Sequence, residues 1–103
     1  MEVQLKKGLI EVYILSILKK HDSYGYELLS EATKYIDISE STLYPILKRL
    51  IASEYATSYT VEHNSRLRKY YRITRKGKDR IQEFLKDWDQ VELIISQIRE
   101  EDL

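Results

Sequence analysis

From Leu9 to Leu18 only Glu11 and Ser16 interrupt a run of apolar side chains. A stretch apolar on every side predicts a helix over about residues 3–20 that is buried on more than one face. A chain this small offers one core of its own, so the second covering surface is expected from a partner subunit. The segment HDSYGYELLSEATKYI that follows holds a second helix. Asp22 or Ser23 can cap it, and Gly25, Leu28, Leu29 and Ala32 form its inner stripe. After the polar link DISES, the residues Leu43, Ile46, Leu47, Leu50 and Ile51 recur at the period of an amphipathic helix. That third helix is expected to run to about Ser53, capped by Ser39 or Ser41.

The pattern then changes. YATSYTVE and LRKYYRIT are rich in Tyr, Thr, Val and Ile, and HNSR separates them. They predict a two-stranded hairpin with a basic tip, Leu67, Lys69, Tyr71 and Ile73 on one face and Arg68, Tyr70 and Arg72 on the other. Thr74 can cap a last helix of about 25 residues, roughly 40 Å long. Its Ile81, Phe84, Leu85, Trp88, Val91, Ile95 and Ile98 keep near-heptad spacing over a length the small domain cannot cover, which asks for a partner helix. The order is helix, helix, helix, strand, strand, long helix. The fold expected is mainly α with a small β-hairpin, a winged helix-turn-helix over residues 1–74 joined in one unit to a dimerisation helix over 75–103. The dimer would be held by Leu9, Val12 and Tyr13 with Phe84, Leu85, Trp88, Val91, Ile95 and Ile98.

Composition narrows the setting. The 103 residues include no cysteine, so there is no disulfide framework and no thiolate metal site, and a reducing, cytoplasmic compartment is expected. No apolar run reaches the roughly 18 residues of a membrane span, and the N-terminus lacks the organisation of a signal peptide. The formal net charge is zero, but it is divided. Residues 62–80 carry eight basic against two acidic side chains, +6, and residues 81–103 carry two against seven, −5. One region can hold a polyanion while the other repels it.

The third helix offers a surface that the basic region could extend. Its outer face presents Ser41, Thr42 and Tyr44, which can donate to phosphate or base, with Lys48 and Arg49 adding charge. Pro45 costs little if Ser41 is the cap, because first-turn N–H groups lack intrahelical partners. If Ser39 is the cap, one hydrogen bond goes. Either way Pro45 offers a flat, rigid surface beside Tyr44. Such a helix can also be merely solvated, with Tyr44 as packing. The basic tip tips the balance, since Arg66, Arg68 and Lys69 crowd together at a cost unless an anion comes near. Wings of this kind place basic side chains along the minor groove of double-stranded DNA.

Nothing marks catalysis. His21 and His63 have no cysteine partner and no metal-ligand spacing. Gly8, Gly25 and Gly77 stand alone, so no phosphate-cradling loop is present, and no cofactor is implied. The rival reading is a winged helix that docks an acidic protein without specific DNA binding.

Three motifs, GLIEVYILSILKKHDSYGYELL, STLYPILKRL and RKYYRITRKGK, stand in an order and spacing that resemble the PadR family of bacterial transcriptional regulators. With the Trp-bearing last helix the resemblance spans nearly the whole chain, and it is to the short branch with a single C-terminal helix. It implies a homodimeric repressor of a palindromic operator that lets go when an effector binds. It also implies contacts from Tyr26, Ser41, Thr42, Tyr44 and Lys48 and, on the wing, from Arg66, Arg68 and Lys69. The family often has Gly where this chain has Ser41, and its wings usually carry more glycine and proline. In multidrug-responsive members, a Trp before a similar run lines a pore between subunits where flat aromatic drugs stack. Trp88 looks like that residue, and Asp87, Asp89 and Glu92 nearby would favour cationic ligands. A lone aromatic on a heptad stripe can equally be interface packing, and the two roles are compatible.

Overall fold

Seven elements follow one another in the computed structural model, which describes the backbone from Val3 to Glu101 and the side chains from Gly8 to Glu100. They are α1 (Val3–Lys20), β1 (Ser23–Tyr24), α2 (Gly25–Ala32), α3 (Glu40–Ala52), β2 (Ala56–His63), β3 (Arg66–Ile73) and α4 (Arg75–Glu101). α1 has the bounds its pattern predicts and lies at the centre. Ile10, Val12, Ile14, Leu15, Ile17 and Leu18 are all buried within one chain, which packs α1 against α2, β3 and α4. For these six residues the second covering surface expected from a partner subunit is supplied by the chain itself. All-round apolarity requires cover on several faces, and here the chain's own elements supply it. Val12 keeps almost no free surface, whereas Leu9 and Tyr13 stay partly open.

α2 begins one step later than its expected caps. Tyr24 precedes its first residue in extended conformation, and the Glu27 carboxylate accepts from the Tyr24 N–H at 3.2 Å. Ser23, fully buried, is instead part of a strand the sequence pattern did not reveal. That strand is only two residues long, too short for alternation to register. It pairs antiparallel with β3, Ser23 opposite Tyr71 and Tyr24 opposite Tyr70. The expected hairpin is thus part of a three-stranded sheet in the order β1-β3-β2.

Ser39 opens α3, and its carbonyl accepts from the Leu43 N–H at 3.0 Å. Pro45 therefore stands in the sixth helical position, and the Ser41 carbonyl loses its partner four residues on. Leu43, Ile46, Leu47 and Leu50 hold the helix in the core. Its end is a Schellman motif: the Tyr55 N–H donates to the Leu50 carbonyl at 2.9 Å and the Glu54 N–H to the Ile51 carbonyl at 3.0 Å. Glu54 takes φ 63°, a left-handed conformation where glycine is usual. The wing likewise turns without glycine. Asn64 and Ser65, at φ 51° and 66°, form a two-residue loop of the kind whose twist suits a hairpin. His63 and Arg66 are paired strand ends, not part of a four-residue tip.

Thr74 caps α4 as expected, its hydroxyl oxygen accepting from the Gly77 N–H at 3.0 Å while its hydroxyl donates to the Glu54 carbonyl at 2.7 Å. The Thr74 N–H donates to the Tyr55 carbonyl at 3.0 Å, so the end of α3 and the start of α4 are joined. Ile81 is buried and Phe84 partly so, but the helix then leaves the domain. The molecule measures 61 × 27 × 21 Å, with a radius of gyration of 16.0 Å. A compact chain of similar length would have about 13 Å. Projecting with α4 are Leu85, Val91, Leu93, Ile94 and Ile98, all exposed.

Candidate nucleic-acid interface

Because α3 turns its leucines inward, Ser41, Thr42, Tyr44, Pro45 and Lys48 all face solvent. The Ser39 and Ser41 hydroxyls lie 2.8 Å apart, and Thr42 Oγ1 is 3.4 Å from Ser39 Oγ, so three hydroxyls gather at the start of the helix. Tyr44 leans over the start of α2. A Cβ on Gly25 would sit 2.7 Å from the Tyr44 hydroxyl, so glycine there makes room for the ring. The next residue, Tyr26, is 70% exposed. Arg49 lies about 100° further round α3 from Lys48. It approaches Glu11 of α1 at 3.8 Å, so the structure does not bring it to the same face.

The wing continues this surface on one side and departs from it on the other. Lys69 and Tyr71 share the inner face, with Lys69 Nζ 5.6 Å from the Tyr71 ring centre. The Tyr71 phenol has a raised pKa, through burial first and then through Tyr44. Arg66 and Arg68 stand on the outer face. Arg66 is exposed beside the turn, and the Arg68 guanidinium lies 4.2 Å over the Tyr24 ring. Among the described residues, Lys48, Arg66, Arg68 and Lys69 form no ion pair, so their charge is available to an outside anion.

One cluster was not anticipated. Tyr24, Tyr70 and Tyr59 come from three different strands and meet on the outer face. Beside them, Asp22 accepts from Tyr59 and from Arg72. Their alternation was visible, but the register that joins residues far apart in sequence was not.

The effector candidates lie on α4. Trp88 is partly covered by Phe84, their rings parallel within 12° at 6.1 Å. With Glu92, Ile95, Ser96 and Arg99 it lines an open groove of about 390 Å³. Asp87 does not line it, and Arg99 adds a positive charge to the negative one of Glu92. Among the described residues no His, Cys, Asp or Glu cluster is arranged to hold a metal, and no helix is long and apolar enough to cross a membrane.

A helix-turn-helix of α2 and α3 followed by the β2–β3 hairpin, with β1 completing its sheet, defines a winged-helix protein. Residues 14–83 match the model of the transcriptional regulator PadR-like family. A crystal structure of a Streptococcus mutans UA159 protein is 44% identical, covering 91% of this chain and 89% of that one, with a TM-score of 0.81. A PadR family transcription regulator from Clostridium difficile R20291 is 32% identical over 86% of this chain and 96% of its own, with a TM-score of 0.79. An uncharacterized protein of Lysinibacillus sphaericus is 35% identical over 94 residues, 86% of each chain. This chain belongs to the PadR-like family, which comprises transcriptional regulators and not enzymes.

Proposed function

We propose that the protein is a cytoplasmic homodimeric repressor that binds a palindromic operator in double-stranded DNA and is released by a small molecule. The observation that carries this is the exposed face of α3 with Lys48 on it, followed by a wing with Lys69 on its inner face and Arg66 and Arg68 on its outer face, none of the four in an ion pair among the described residues. α3 would enter the major groove through Ser41, Thr42, Tyr44 and Lys48, and a two-fold partner would enter the next one about 34 Å away. Tyr26, Arg66, Arg68 and Lys69 would hold phosphates or the minor groove, with Pro45 lying flat beside the duplex. The second copy would cover the bare apolar stripe of α4. In the dimer the Trp88 groove would face its symmetry mate, where a flat aromatic or cationic molecule could stack beside Trp88 and Glu92.

The test is fluorescence anisotropy with the duplex just upstream of the protein's own gene and a scrambled duplex of equal composition. Specific binding that weakens steeply with salt supports the reading. Equal, weak binding to both, repeated with a duplex selected from a random pool, refutes it and favours docking to an acidic protein. The effector step is read from Trp88, the single tryptophan, as fluorescence quenching by flat aromatic compounds.

A further inference from the structure

We infer that Asp22 is a positioning residue for DNA binding, fixing the wing and Arg68 on it relative to α2 and α3. The inference rests on the proposed DNA-binding reading. Asp22 lies in the link between α1 and β1, with its side chain 28% exposed, and is not among the side chains that α3 presents. Its Oδ2 accepts from the Tyr59 hydroxyl at 2.6 Å and from Arg72 Nε at 2.9 Å. Tyr59 belongs to β2, the strand farthest from β1 in the sheet, and Arg72 to the strand between. One carboxylate oxygen therefore joins the link before α2 to both long strands.

From this clamp a row of rings runs across the sheet, from β2 through β3 to β1. The Arg72 guanidinium lies 4.9 Å over Tyr59, and Tyr59 stacks on Tyr70 at 5.7 Å and 12°. Tyr70 meets Tyr24 edge-on at 5.5 Å, and Arg68 caps Tyr24 at 4.2 Å. The ladder between β1 and β3 is only two residues long. A pairing that short holds a sheet weakly by itself, and the clamp supplies a second attachment at the base of the wing. Moving the Tyr59 ring displaces the rings on which Arg68 rests.

Charge alone argues the opposite sign, which makes the inference testable. Asp22 is an acid beside a basic wing, so removing it should tighten binding to any duplex if only electrostatics counted. The experiment compares wild type, Asp22→Ala, Tyr59→Phe and the double variant on two duplexes. One is selected by the wild-type protein from a random pool, and the other is its scrambled counterpart. We expect Asp22→Ala to bind the selected duplex about tenfold more weakly, the size of one lost charge-assisted hydrogen bond, with the scrambled duplex bound as well as before or better. Tyr59→Phe keeps the ring and loses only the hydroxyl, so it remains informative if Asp22→Ala melts early. It should lose severalfold on the selected duplex, and the double variant should be no worse than Asp22→Ala. Unchanged or tighter binding to the selected duplex, parallel loss on both duplexes, or additive losses would each overturn the inference. Failure of the wild type to select any duplex is a separate result that refutes the DNA-binding reading itself.

Discussion

Gly77→Ala should destabilise the protein, although replacing glycine by alanine within a helix ordinarily helps. A Cβ at this position would lie 2.2 Å from the Tyr55 carbonyl oxygen and 2.7 Å from Ile73 Cγ1. The first obstacle is backbone, held by the Thr74 N–H at 3.0 Å, and cannot rotate away as a side-chain end would. To reach ordinary contact, the start of α4 must move by more than about 1 Å, which costs roughly 1–3 kcal/mol as overpacking. Straining the Thr74–Tyr55 bond adds up to about 1 kcal/mol. Against this stands the usual gain of about 0.8–1 kcal/mol for alanine over glycine in a helix. The balance is a loss of about 2 kcal/mol, or roughly 8–16 °C in melting temperature for a domain of this size. The assay is far-ultraviolet circular dichroism on heating at one fixed protein concentration, because the proposed dimer would couple association to melting. Lys78→Ala, on the exposed side of the same turn, serves as the control and should stay within about 0.5 kcal/mol of wild type. A Gly77→Ala variant that melts at or above the wild-type temperature would refute the close packing of α4 against Tyr55.

Other outcomes can be checked with similar means. Glu54→Gly and Ser65→Gly place glycine where φ is positive, so each should raise stability by about 0.5–1 kcal/mol in urea unfolding, with loss in both contradicting the turn geometry. Ile94 and Ile98 are 61% and 53% exposed on α4. If a partner helix covers them in both copies, replacing both by alanine removes about 3 kcal/mol of apolar burial and weakens the dimer about a hundredfold. Sedimentation would show it, and an unaltered dimer would move the interface elsewhere. Tyr71, through burial, and Tyr59, through its bond to Asp22, have raised phenol pKa values. Each proton is held more tightly in the folded state, so their stabilisation is complete below the unfolded tyrosine pKa and is lost as pH rises through the folded one. Alkaline titration of the tyrosinate band should therefore show a late phase accompanied by unfolding, and Tyr71→Phe should shrink that phase.

How far the pattern of residues reaches depends on what each feature encodes. The α3 stripe, the Thr74 cap and the alternation of β3 are local, and each has one structural solution in a chain of this order. The apolar run of α1 encodes burial but not the identity of the cover, which is why α2, β3 and α4 stand where a partner was expected. The Asn64–Ser65 turn and the left-handed Glu54 carry no glycine, so HNSR marks a turn without fixing its two-residue form, and nothing marks the end of α3. β1 and the Asp22 clamp exist only through pairing across the fold, with Asp22 and Arg72 separated by 50 positions. Among the interface candidates, exposure follows from helical phase and was foreseeable for Tyr44 and Lys48. The diversion of Arg49 toward Glu11 depends on where α1 lies, which no local pattern contains.

The contrast between α1 and α4 bears on how a dimer would meet DNA. With Ile10 to Leu18 of α1 largely enclosed by their own chain, α4 carries half of the large exposed hydrophobic side chains among the described residues. The distance between two recognition helices would then depend on the angle at which α4 leaves the domain. That angle is set by the packing of Ile81 and Phe84 on the core and, at the start of the helix, where Thr74 holds the Glu54 and Tyr55 carbonyls and Gly77 admits the helix against them. A perturbation there should change operator spacing before it changes any contact with a base. Gly77→Ala protein, assayed below its melting temperature, is accordingly expected to lose affinity for the wild-type operator. A duplex with one base pair added or removed between the half-sites should recover part of that loss. Equal loss at every spacing would mean that the α4 seat supports the fold without setting the geometry of the dimer.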